Sequence, residues 1–223
     1  LELVNQCDEA GIEFMLPIAR WIGYGGDTDF HGDVLETVTW AAGLAAHSKN
    51  IQVFATVHTA FNHPIVVAKQ LATLDQLSNG RIGLNVVAGW NKPEYDAFGV
   101  DLPSEHSDRY AMAQEWFDYV TRLWSEDHAF DWEGTYFKGK GVYGRPHPVQ
   151  AHIPVINAAA SEEGRGFAMR NADFLFTPVF DFEQARATVH EISQKSASAG
   201  RNVDVLTFCT VCLLYTSPSP RDA

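Results

Sequence analysis

Gly80-Arg81-Ile82-Gly83-Leu84-Asn85-Val86-Val87-Ala88-Gly89-Trp90 is the stretch on which the fold turns. Ile82, Leu84, Val86 and Val87 form an apolar run without polar alternation, opened by the Asn79-Gly80 turn and closed by Gly89. A strand that is apolar on both faces belongs in a parallel sheet covered on both sides. Taken as residues 81–90, it has five companions of the same kind, at residues 12–19, 51–58, 153–160, 172–179 and 205–211.

Helical signals lie between these runs, and the chain itself opens inside one. Asn62 caps a helix with Pro64 in its first turn, running through Ile65, Ala68, Leu71 and Leu74 to Leu77 and stopping at Asn79-Gly80. Asp108 caps a second, with Ala113, Trp116, Phe117, Val120 and Leu123 on its apolar side, and Asp181 caps a third ending near Gly200. Residues 91–107 and 127–152 read as irregular loops of the kind that serve as lids or binding loops. About six β/α units result, an α/β protein that is either a barrel or a doubly wound sheet.

Composition narrows the function classes. The 223 residues are 46% hydrophobic and 20% charged, as in a folded globular chain, with a formal net charge of −12. Nucleic acid and anionic membrane both require a basic footprint that this chain lacks. The longest apolar stretch is broken by Thr207 and Thr210, well short of the roughly 20 residues that cross a bilayer. Three cysteines build no disulfide framework, which points to a reducing, cytoplasmic compartment. Cys209 and Cys212 sit three apart on a strand and so face opposite ways, and the nine histidines show no metal-ligand spacing, so no metal site is expected. Nucleophile-elbow, P-loop and dinucleotide-binding signatures are missing as well.

Four places stand at carboxyl ends of strands, where the active sites of such folds lie. Ala19-Arg20-Trp21 leads into the turn Gly23-Tyr24-Gly25-Gly26; Asn85 is a lone polar residue in an apolar run closed by Gly89-Trp90. Asp108-Arg109-Tyr110 puts a cation near the positive end of a helix, and Ser161 opens a helix after the small residues Ala158-Ala159-Ala160. An anion site, small residues and an aromatic wall suit a phosphorylated aromatic cofactor.

The run from Gly80 to Tyr95, with Phe98-Gly99, Arg109-Tyr110, Arg20-Trp21-Ile22-Gly23-Tyr24-Gly25-Gly26, Asn62-His63-Pro64 and Asn157-Ala158-Ala159-Ala160-Ser161, resembles the bacterial-luciferase-like flavin-dependent monooxygenases. Within them it is similar to the pyrimidine and alkanesulfonate branch. That resemblance covers residues 1 to about 211. It implies a TIM (β/α)8 barrel of which strands two to seven are present here, a first strand preceding Leu1 and an eighth following residue 211. It also implies reduced FMN supplied by a separate NAD(P)H-dependent flavin reductase, O2 as co-substrate, and oxidation of a small organic molecule of the C–S or C–N cleavage class through a flavin (hydro)peroxide.

Carried over residue by residue, the resemblance implies cofactor contacts at Ala19, Arg20, Asn85, Glu94, Arg109, Tyr110 and Ser161, and Thr56 and Trp90 complete the candidate cofactor-binding set. Arg109 and Ser161 would hold the 5′-phosphate, Asn85 the ring or ribityl chain, and Trp90 the pocket wall. His58 is the candidate acid/base and Arg20 a second catalytic candidate that could bind an anionic substrate. A non-prolyl cis bond is expected at Ala55–Thr56. The luciferase His pair is replaced by Ala19-Arg20, so aldehyde chemistry is not expected.

Residues 212–223, rich in Ser and Pro, resemble a translated adapter rather than native protein and are set apart from the barrel at 1–211. The Ala-rich helix at 35–46 could pair two copies as a homodimer or equally pack on the barrel, and two unpaired apolar edges would favour aggregation. Two rival functions share the scaffold: a deazaflavin (F420)-dependent oxidoreductase and a non-catalytic flavin-binding subunit.

Overall fold

The computed structural model describes residues 2–208. Among them, six strands pair in parallel: β1 (Phe14–Met15), β2 (Gln52–His58), β3 (Ile82–Val87), β6 (Val155–Ala158), β7 (Phe174–Phe176) and β8 (Asp204–Leu206). A hairpin of β4 (Phe130–Glu133) and β5 (Lys138–Val142) stands apart as an antiparallel pair. The helices are α1 (Glu2–Glu9), α2 (Thr37–His47), α3 (Pro64–Ser78), α4 (Lys92–Phe98), α5 (His106–Ser125), α6 (Glu162–Asn171) and α7 (Phe182–Ser198).

The order β1-β2-β3-β6-β7-β8 follows the chain without reversal. A doubly wound sheet reverses at its switch point, whereas the wall of a barrel does not, so the barrel alternative holds. Curvature confirms it. Phe14 and Phe174 lie four strands apart, about 19 Å in a flat sheet, yet their rings stack with centroids 6.5 Å apart across the interior.

Local chemistry explains most boundaries. His63, not Asn62, caps α3 by accepting the Ile65 N–H, while Asn62 turns back to donate to the His58 carbonyl at 2.9 Å. Asn79 ends α3 in the left-handed conformation. Helix α5 begins at His106 after Glu105, two residues before the expected Asp108 cap. Asp181 and Ser161 cap α7 and α6 as expected. Val38, Ala41, Leu44 and Ala45 of α2 are buried in the core, so much of its small-residue face packs on the barrel. The Ala55–Thr56 bond is trans: both residues stay in the regular ladder opposite Leu84 and Asn85. Cys209, Cys212 and the tail at 212–223 lie outside the described residues.

The amino end of the barrel is held by two polar anchors, half-buried Arg81 and buried Asp75. Arg81 reaches the carbonyls of Ala45, Ser48, Ile51 and Ser78. Asp75, fully buried on α3, accepts N–H groups from Val149 and Gln150 and the Gln150 side-chain amide. The carboxyl end is left open.

Candidate functional site

At that open end a cavity of about 540 Å³ is walled by Phe14, Pro17, Ile18, Val87, Phe176 and Leu206 on its apolar side. Ala19, Arg20, Thr56, His58, Asn85 and Trp90 line it as well, so six of the sequence-predicted residues meet in one place. They do so because β2 and β3 run in register with Thr56 opposite Asn85 and His58 opposite Val87.

Asn85 is oriented by its neighbours. Thr56 Oγ1 donates to the Pro17 carbonyl at 2.6 Å and so meets Asn85 as an acceptor, taking an Nδ2 hydrogen at 3.1 Å. The Asn85 carbonyl oxygen is left as a buried acceptor without a protein partner. Arg20 shows the complementary feature. Its Nη2 donates to the Tyr24 hydroxyl at 2.7 Å, its Nη1 lies 3.8 Å from Glu94 Oε2, and its buried Nε is unpartnered. The guanidinium carbon sits 4.9 Å from the Trp90 ring centroid and 5.2 Å from that of Tyr24.

Glu94 is placed behind this wall. It rises from α4, is 1% exposed, takes the Trp21 N–H on Oε1 at 2.8 Å, and sets Oε2 3.9 Å from His58 Nε2. Burial pushes the His58 imidazole down to about 4, with Arg20 acting the same way and Glu94 opposing both. His58 therefore faces the cavity as a neutral ring.

Tyr110 and Ser161 lie elsewhere. Ser161 Oγ accepts the Gly164 N–H at 3.2 Å at the start of α6. Gly164 permits close packing there: a Cβ would fall 2.4 Å from the Tyr110 hydroxyl oxygen and 2.5 Å from Ala159 Cβ. Tyr110, Ala160 and Glu162 border a second crevice of about 920 Å³ between α5, α6 and α7. Burial raises the Tyr110 phenol, keeping it a neutral hydroxyl. Arg109 lines neither cavity; its guanidinium turns back along α5 and Nη1 donates to the carbonyls of Pro103, at 2.5 Å, and Ser104. Those carbonyls offset the unfavourable helix dipole that an anion was expected to offset.

Sequence reasoning missed Tyr24, whose only signal was an aromatic ring inside a glycine-rich turn four residues after Arg20. It also missed α4, which carries Glu94.

The chain is 35% identical over 205 residues to the pyrimidine monooxygenase RutA of Allorhizobium ampelinum, covering 90% of this chain and 55% of that protein. The chain thus spans about half the length of the curated relatives it matches. Among solved structures, a riboflavin lyase (RcaE) aligns with a TM-score of 0.83 at 26% identity, over 92% of this chain and 53% of its own. The EDTA monooxygenase EmoA from Chelativorans sp. BNC1 aligns with a TM-score of 0.81 at 22% identity, over 90% and 54%. A family model described as luciferase-like monooxygenase matches residues 1–223. With the barrel wall and its carboxyl-end cavity, that match establishes that the chain belongs to the luciferase-like monooxygenase family.

Proposed function

We propose that this chain carries the flavin- and substrate-binding face of a two-component monooxygenase using reduced FMN and O2. The observation that carries the reading is the pair of unspent polar atoms on the cavity wall, Asn85 Oδ1 and Arg20 Nε. A buried acceptor and a buried donor call for a ligand that offers both, because unpaired buried groups cost about 1–3 kcal/mol each. A planar heteroaromatic ring with ring N–H and carbonyl groups fits that demand, and the isoalloxazine of FMN is such a ring.

In this reading Asn85 and Arg20 bind the ring, Thr56 holds the Asn85 amide in place, and Ala19 leaves room beside it. Trp90 forms one wall, and Pro17, Ile18 and Val87 exclude water, strengthening each polar contact inside. Ser161, the backbone N–H groups of Glu162 and Glu163, and Tyr110 receive the phosphate at the start of α6, with Arg109 adding positive charge nearby. When bound, reduced FMN supplies the electrons that activate O2. His58 offers a neutral imidazole that can take a proton from substrate at the cavity wall. A separate NAD(P)H-dependent reductase would deliver the reduced flavin.

The substrate is a small organic molecule with a C–N or C–S bond to be cleaved. Pyrimidines are the first class to test, since the relatives are named for them. The experiment is oxygen uptake with a flavin reductase, NADH, FMN and uracil or an alkanesulfonate. Oxygen consumption that rises with substrate and yields oxygenated product supports the reading. Flavin binding with no substrate-dependent uptake favours the non-catalytic subunit, and hydride transfer to a deazaflavin without uptake favours the deazaflavin oxidoreductase.

A further inference from the structure

Glu94 is the one resemblance-derived cofactor residue whose carboxylate is already engaged by the protein on both oxygens. Oε1 accepts the Trp21 N–H at 2.8 Å, and Oε2 lies 3.8 Å from Arg20 Nη1 and 3.9 Å from His58 Nε2. The residue is 1% exposed and does not line the cavity, whereas Arg20 and His58 both do. Tyr24 completes the arrangement from the other side, accepting Arg20 Nη2 at 2.7 Å while its ring and that of Trp90 flank the guanidinium. The Arg20 head is thereby held at both Nη atoms, while its buried Nε–H has no protein partner.

We infer that Glu94 acts through Arg20 and His58, as a buried positioning residue that, with Tyr24, holds the Arg20 guanidinium in one place on the cavity wall. The inference deepens the flavin-site reading and in part rests on it. A fork-shaped guanidinium held at both Nη atoms can present Nε–H in one direction only, which converts a flexible side chain into a fixed donor. Glu94 also supplies the negative charge that offsets Arg20 beside a neutral His58 in a buried wall.

Two readouts on the full chain separate this role from direct ligand contact. In ligand-free protein, solvent exchange of the Arg20 Nε–H is followed by ¹⁵N NMR in wild type, Glu94→Gln and Tyr24→Phe. Exchange should speed by roughly tenfold in either variant, the scale of one lost charge-assisted contact, while β3 amides keep wild-type protection. Tyr24 is exposed, so its variant reports even if Glu94→Gln does not fold. With reduced FMN under anaerobic conditions, Glu94→Gln, Arg20→Ala and their combination form a cycle. The double variant should bind no more weakly than Arg20→Ala alone. Additive losses, or Arg20 exchange unchanged in the variants, overturn the inference. If wild type binds no FMN, the flavin reading fails, and the exchange measurement alone still decides the role of Glu94.

Discussion

Asn85 Nδ2 donates to Thr56 Oγ1 at 3.1 Å while the same hydroxyl gives its hydrogen to the Pro17 carbonyl at 2.6 Å. The chain of donors leaves one orientation for the Asn85 amide, Nδ2 on Thr56 and the buried Oδ1 without a protein partner. Thr56→Val keeps the shape but removes both bonds. It should cost about 1–3 kcal/mol in urea unfolding and weaken reduced FMN binding, because the amide can then turn. Unaltered affinity in a folded Thr56→Val protein would show that the orientation does not matter.

The depressed pKa of His58 links stability to pH. Folded, the ring titrates near 4; unfolded, near 6.5, so between those values the unfolded chain binds more protons and stability rises with pH. The contribution is complete above pH 6.5 and lost as pH falls through about 4, up to about 3 kcal/mol at 1.36 kcal/mol per unit. Urea unfolding from pH 7.5 to 4 should show this slope in wild type and a shallower one in His58→Gln. Equal slopes would place the titration on other groups.

Gly164 packs against Tyr110 and the Ser161 turn, where the proposed function puts the phosphate. A methyl group there would meet the Tyr110 hydroxyl and Ala159 and disturb the Ser161 turn. Gly164→Ala should therefore raise the dissociation constant of reduced FMN several-fold and leave that of reduced riboflavin, which lacks the phosphate, nearly unchanged. Equal losses for both flavins would remove Ser161 and Tyr110 from the phosphate site.

Asp75 provides a contrast, since it anchors residues 149–150 at the amino end of the barrel, away from the cavity. Asp75→Ala leaves two backbone N–H groups and the Gln150 amide without their acceptor, a loss of about 3 kcal/mol in chemical unfolding. Affinity for flavin should not change while the protein is folded. A matching drop in affinity would mean that the two ends of the barrel are coupled.

How much of this was legible in the sequence depended on range. The runs around β2 and β3 and the signals of α3 were readable because continuous apolarity, proline and an Asn-Gly stop act within a few residues. Helix α4 was read as loop: Asn91 makes no side-chain cap, and the clear signals, an early Pro93 and Gly99 at the end, bracket only seven residues. The β4–β5 hairpin was missed because its strands are short, half-exposed and bulged between Phe130 and Trp132. The gathering of Ala19, Arg20, Thr56, His58, Asn85 and Trp90 was expected through their positions at strand ends and through family resemblance. That Asn85 faces Thr56, that Glu94 sits behind Arg20, and that Arg109 turns to the carbonyls of 103 and 104 required the register and the folded loops.

The central claim is that the Asn85 wall receives a reduced flavin, and its most direct test is an anaerobic titration of reduced FMN into wild type and Asn85→Ala. Saturable binding, weakened roughly tenfold by the substitution as one buried hydrogen bond is lost, is the predicted result. A folded wild-type protein that does not bind reduced FMN, or an Asn85→Ala variant that binds it equally well, would contradict it.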